Sequence, residues 1–65
     1  MTYEFRHLYK SLGIINDPEV IPDKGEVVVL DDVSYVVQNT LNNFKRIAGE
    51  WSLQSVVIYL QEKDT

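Results

Sequence analysis

The chain predicts a small β-sheet protein, and three observations carry that expectation. Residues 22–37, PDKGEVVVLDDVSYVV, read as a strand, a tight acidic turn and a second strand. Residues 51–62, WSLQSVVIYLQE, form a long run rich in β-branched and aromatic side chains, the types that suit a pleated surface. Residues 13–25, GIINDPEVIPDKG, hold both prolines and two of the three glycines, which is the composition of a connection.

Size narrows the class further. Sixty-five residues make one domain, 1–65. A chain of this length removes only about 60% of its unfolded surface from water, so its stability is marginal. It has no cysteine and a single histidine, which leaves no disulfide and no structural zinc site to help. Tight packing and oligomerisation are the supports that remain. At 45% hydrophobic residues the chain has ample apolar content for a folded core.

The elements follow in order. At the N-terminus Tyr3, Phe5, His7 and Tyr9 alternate with Glu4, Arg6, Leu8 and Lys10, as in an edge strand. Phe5, Leu8, Tyr9 and Leu12, closed by Gly13, equally suit a short helix; strand is favoured because one more antiparallel neighbour satisfies more backbone. Residues 13–25 are expected to be irregular, with Ile14, Ile15, Val20 and Ile21 pinning them to the core. Glu26 to Leu30 is expected as a largely buried strand. Trp51 to Glu62 is expected as a strand with Trp51, Leu53, Val57 and Tyr59 on one face and Val56, Ile58 and Leu60 on the other. Being apolar on both faces, it requires cover on both sides, from another layer, barrel closure or a second subunit.

Residues 33–48 are ambiguous. Val33, Val36, Val37, Thr40, Leu41, Phe44, Ile47 and Ala48 gather on one side of a helical wheel, with Asp32 as cap and Gly49 as terminator. Against this, valine, threonine and asparagine fill nearly half the positions, and all are poor helix formers. Val33, Tyr35, Val37, Asn39 and Leu41 also share one strand face.

The pattern Pro22-x-x-Gly25-Glu26-x-Val28-x-Leu30-Asp31-x-x-x-Tyr35-x-Val37, followed by a late Val-x-Ile-Tyr-x-Leu strand, resembles short uncharacterised proteins of phages and bacterial mobile elements. The resemblance covers Pro22 to about Leu60. In such proteins the first motif starts a strand and the Tyr-x-Val starts its hairpin partner. It implies a mainly β fold, an antiparallel meander of three or four strands curled toward a barrel, and no shared activity. The alternative is α+β, with a helix over 33–48 packed on a small sheet.

Charge and motifs exclude much. Six basic against ten acidic residues give a net charge of −4 and a pI near 4.6. A nucleic-acid binder ordinarily presents a basic face, and Lys45-Arg46 is the only adjacent basic pair. The longest apolar runs are four or five residues, against roughly 20 for a membrane-spanning helix. The N-terminal MTYEFRHLYK has no signal-peptide pattern, so the cytoplasm is the expected location. His7 lacks an orienting carboxylate on its own strand face. Ser34, Ser52 and Ser55 lie in no nucleophile-elbow context. Asp31-Asp32 offers too few oxygens for a divalent cation and suits a turn. Pro22-Asp23-Lys24-Gly25 is no phosphate loop. No catalytic residue, metal or cofactor is expected, and the chain is not expected to be an enzyme, which would need several positioned groups in a desolvated site.

The segment FKRIAGEW is the most suggestive remaining feature. It brings Phe44, Lys45, Arg46 and Trp51 near one hairpin tip or helix end, the basic pair lying on the polar side of its element. Tryptophan, tyrosine and arginine dominate binding hot spots, so these four with Tyr35 form the expected binding surface. The leading functional expectation is a binding protein that occludes a host protein, such as a defence, replication or transcription factor. The alternatives are a protein that sequesters a nucleotide ligand and a virion structural or assembly part. A homodimer is expected from the two-sided apolar strand.

Overall fold

A computed structural model describes residues 2–63. Five strands follow in chain order: β1 (Thr2–His7), β2 (Lys10–Asn16), β3 (Val27–Leu30), β4 (Val33–Ile47) and β5 (Glu50–Glu62). They form one sheet in the order β2-β1-β5-β4-β3, curled into a half-barrel, with no helix among the described residues. The mainly β expectation holds. The helix over 33–48 does not: those residues are the 15-residue β4 and its turn. Cross-strand hydrogen bonds to β5 over nearly the whole length of β4 outweigh the apolar stripe of the helical wheel.

The sheet has five strands rather than three or four, and one of its pairings is parallel. β1 and β2 form a hairpin, and β3, β4 and β5 form an antiparallel meander. The meander returns β5 alongside β1, where Thr2–His7 pairs in parallel with Ser55–Leu60. β2 and β3 are therefore the two edges, and residues 17–26 cross between them.

Turn chemistry accounts for the β3–β4 hairpin. Asp31 and Asp32 both have positive φ, 50° and 66°, between the paired Leu30 and Val33. Two successive left-handed residues make the type I′ turn whose twist matches that of the strands, and aspartate tolerates this region. Upstream, the Glu26 amide donates to the Asp23 carbonyl, and the Asp23 amide donates to the Glu26 carboxylate. Gly25, at φ 92°, occupies the third position of that turn, where a type II geometry favours glycine.

The core lies on the concave face. Tyr3 and Phe5 of β1, Tyr35 and Val37 of β4, and Val56, Ile58 and Leu60 of β5 are buried, with Leu12, Val28, Leu30 and Leu53 packed against them. Several expected core residues lie elsewhere. Ile14, Ile15, Val20 and Ile21 are all exposed, and residues 13–16 belong to β2 instead of an irregular connection. β2 is an edge strand, so only one of its flanks has a neighbour. In β3 only Val28 and Leu30 face inward, opposite Tyr35 and Val33; Val27 and Val29 alternate outward. Tyr9 stands in the β1–β2 turn, fully in solvent.

Candidate functional site

β4 and β5 outrun the rest of the sheet. β3 pairs with β4 only over Val33–Val36, and β1 pairs with β5 only over Ser55–Leu60. β4 beyond Val37, whose backbone still bonds to Gly25 and Glu26, and β5 before Ser55 have each other alone, down to the turn at Ala48-Gly49. The result is a two-stranded arm. At about 3.3 Å per residue, β4 and β5 span roughly 43–50 Å, which accounts for molecular dimensions of 48 × 20 × 20 Å.

Two bulges decide what the arm presents. On β4, Val37 pairs with Leu60 and Asn39 with Tyr59, leaving Gln38 as the extra residue. On β5, Ser55 pairs with Asn43 and Leu53 with Phe44, leaving Gln54 as the extra residue. Each bulge moves the rest of its strand to the opposite face. Without the first, Phe44 and Arg46 would point to the outside of the sheet. Without the second, Trp51 and Leu53 would do so. With both, Phe44 opposes Leu53 and Arg46 opposes Trp51 on the face that continues the core. The expected grouping of Trp51 and Leu53 with Val57 and Tyr59 is therefore corrected. So is the grouping of Leu41 with Val37, since Leu41 pairs with Val57 on the outer face.

The core thus runs along β5 from Leu60 through Ile58 and Val56 to Leu53, then emerges into solvent. Phe44 is 57% and Trp51 66% exposed. Together they line an open apolar recess of about 460 Å³. The Arg46 guanidinium lies over the Trp51 ring, 4.7 Å from its centroid, a cation–π contact. No carboxylate among the described residues pairs with it, so its hydrogen-bond donors stay available.

Phe44, Arg46 and Trp51 are therefore brought together. Lys45 is not, because adjacent strand residues face opposite ways; it opposes Ser52 on the outer face. Tyr35 is buried in the core, opposite Glu62, while Arg46 is eleven positions farther along β4, roughly 35 Å away. A tyrosine beside valines on a strand reads as either a core or a contact residue until its face is known.

The arm also differs from the body in charge. Over residues 38–54, Lys45 and Arg46 stand against Glu50 alone, an excess of one positive charge. With the whole chain at −4, the remainder carries an excess of five negative charges.

The other candidate groups have local partners. His7 packs its ring edge-on against Tyr35, with centroids 5.7 Å apart. Glu4 accepts a hydrogen bond from the Ser11 hydroxyl at 2.8 Å and lies 3.6 Å from Arg6. No group of three or more acidic or histidine side chains among the described residues could hold a metal ion. A smaller recess of about 210 Å³, lined by His7, Leu8, Gln38, Tyr59, Leu60 and Gln61, falls below the range of about 300–1,000 Å³ usual for small-molecule sites.

Comparison with protein families, curated proteins and solved structures gave no match to this chain.

Proposed function

We propose that this chain is a non-enzymatic binding protein that grips an acidic protein surface with the face of its β4–β5 arm and acts by occluding that surface. The observation that carries the reading is the exposed trio Phe44, Arg46 and Trp51 on a ribbon paired to nothing else. Arginine stacked on tryptophan is pre-ordered, so little side-chain entropy is lost when its fork meets a carboxylate. Phe44 and Trp51 supply large apolar area beside it, the composition of a hot spot. A positive arm on a negative body also orients approach to an acidic partner. The resemblance to phage and mobile-element proteins makes a host-cell protein the partner of choice.

Capture by the tagged chain from host lysate, identification by mass spectrometry and titration of the purified partner form the test. Arg46→Glu or Trp51→Ala should weaken binding on the order of 30-fold, a hot-spot loss of about 2 kcal/mol. Lys45→Glu, on the opposite face, should change mainly the association rate at low salt. A purified partner that binds all three variants as tightly as the parent refutes the arm as the site. A nucleotide that raises the melting temperature of the parent but not of Trp51→Ala would reassign the platform to base stacking.

A further inference from the structure

The arm leaves a free sheet edge beside its aromatic trio. Which backbone groups that edge offers follows from the tip. Ala48 and Gly49 form a two-residue turn, so Ile47 and Glu50 exchange both of their backbone hydrogen bonds. Pairs then alternate along the strand, and the backbone of Arg46, Phe44, Asn42 and Thr40 points away from β5. The bulge at Gln54 lies on β5 and leaves this row on β4 unbroken. Across the Gln38 bulge, the Val37 amide donates to the Glu26 carbonyl and the Val37 carbonyl accepts from the Gly25 amide. Those are the last bonds on that side of β4, and among the described strands β4 touches only β3 and β5. From Thr40 to Arg46, alternate N–H and C=O groups therefore face water in one even row.

The other edges are blunted in ways that hinder strand addition. β3 is four residues long. β2 carries a bulge, since Phe5 pairs with Gly13 and Arg6 with Ser11, which leaves Leu12 extra. The free stretch of β5 ends at its own bulge, just before β1 begins opposite Ser55. The β4 edge has neither device, and both prolines, Pro18 and Pro22, lie elsewhere. From Thr40 to Arg46 it runs roughly 20 Å, enough for a strand of about seven residues. Its guard is charge, and charge is selective. Residues 38–47, QNTLNNFKRI, contain Lys45 and Arg46 and no acidic residue. Lys45 projects to the outer face and Arg46 to the inner one. An added strand thus meets a cation on each of its faces at adjacent positions, then the apolar Phe44. Two consecutive carboxylates followed by an apolar residue match that row. A second copy of this chain is a poor match, because its β4 repeats the two cations and each copy carries −4.

We propose that the β4 edge takes an extended acidic segment of the partner protein as a sixth strand of the sheet, by β-augmentation. This rests on the arm being the binding element and adds how the arm holds its partner. Main-chain bonds along Thr40–Arg46 supply the grip, and Lys45, Arg46 and Phe44 supply the selection. Because the residues whose backbone faces the edge are also those whose side chains lie on the inner face, one segment engages the edge and the trio together.

A synthetic peptide, Glu-Glu-Val-Thr-Thr-Val-Thr, tests this by NMR titration of the isotope-labelled chain; in the antiparallel sense it sets its glutamates opposite Arg46 and Lys45. Binding should saturate at about 1 mM or below. The amides of Thr40, Asn42, Phe44 and Arg46 should shift more than those of Leu41, Asn43 and Lys45. N-methylation of the peptide on the residues that face the edge should abolish binding. Asn42→Pro removes one edge donor without touching a β4–β5 bond, so the folded variant should bind on the order of tenfold or more weakly, while Asn42→Ala binds as the parent does. No binding at that concentration, equal binding of the N-methylated peptide, or a folded Asn42→Pro equal to the parent would each overturn the added strand. So would a parent that sediments as a dimer which Asn42→Pro dissolves, since the edge would then belong to a second copy. Should Asn42→Pro fail to fold, the N-methylated peptide decides. A purified partner that loses affinity for Trp51→Ala but not for folded Asn42→Pro sinks the sixth strand and leaves the arm's face as the site; one that loses affinity for neither sinks both.

Discussion

Ala48→Asn probes the arm at its tip, where a single residue is conformationally out of place. Ala48 and Gly49 join the paired Ile47 and Glu50, with φ of 51° and 83°. Two consecutive left-handed residues make a type I′ turn, whose preferred pair is Asn-Gly. Alanine in this region brings its Cβ against the following carbonyl, at a cost of about 1–2 kcal/mol. Asparagine tolerates the region because its side chain bonds locally. Ala48 is exposed, so the exchange removes no packing. Gly49 shows the same logic in reverse: a Cβ built there meets nothing within 4 Å, so its requirement is conformational and not steric. Ala48→Asn should therefore add about 1 kcal/mol. In a domain of this size that raises the melting temperature by about 4–8 °C. Circular dichroism at one fixed protein concentration reads the shift. Where the arm opens ahead of the body, amide exchange at Lys45 and Ser52, the next hydrogen-bonded pair along the arm, reads it instead, slowing about fivefold. Ala48→Val, β-branched at positive φ, should move both measurements the other way. If Ala48→Asn leaves melting and exchange unchanged, or lowers either, the turn is not type I′ and the arm geometry drawn from it fails.

The core and the arm separate in further variants. Ile58→Ala removes a side chain that is 1% exposed at the centre of β5 and should cost about 2–5 kcal/mol in urea unfolding; a loss below about 1 kcal/mol would contradict its place in the core. Trp51→Ala removes a ring two-thirds in water already, so its cost should be on the order of 1–2 kcal/mol against about 3–5 for a core tryptophan, and cooperative unfolding should persist; loss of the fold would show Trp51 buried. Far-UV circular dichroism should show a β spectrum, and a strong minimum at 222 nm would contradict β4 as a strand.

Some elements were legible because their signals are local. Pro22 to Val37 reads as a hairpin because the Asp-Asp pair marks its turn, the glycine at position 25 marks the turn that precedes its first strand, and the flanking valines suit the strands. Residues 51–62 read as a strand because no helix would string Val56, Val57, Ile58 and Tyr59 so easily. β2 was hidden because Gly13 and Asn16 carry turn chemistry, and its neighbours offer no turn signal: Leu8, at φ 56°, occupies a position where glycine or asparagine would ordinarily announce a hairpin. Of the candidate site, the identities of Phe44, Arg46 and Trp51 were visible as hot-spot residue types, but their company was not. Lys45 and Tyr35 joined them by residue type and left them by geometry.

Residues 33–48 stayed open between helix and strand, but composition, turn chemistry and β-propensity by themselves determined strands near 26–30 and 51–62 and an acidic turn between residues 30 and 33. These follow from each residue's own backbone and side-chain preferences over a few neighbours. Only the tertiary structure decided the parallel β1–β5 pairing, the length by which β4 and β5 outrun their neighbours, and the bulges at Gln38 and Gln54. A strand alternates with a period of two, so one unpaired residue reverses every face beyond it, and whether a residue is unpaired depends on a partner distant in the chain. That is why Trp51 sits with Arg46 and Phe44 on an open arm, and Tyr35 sits in the core.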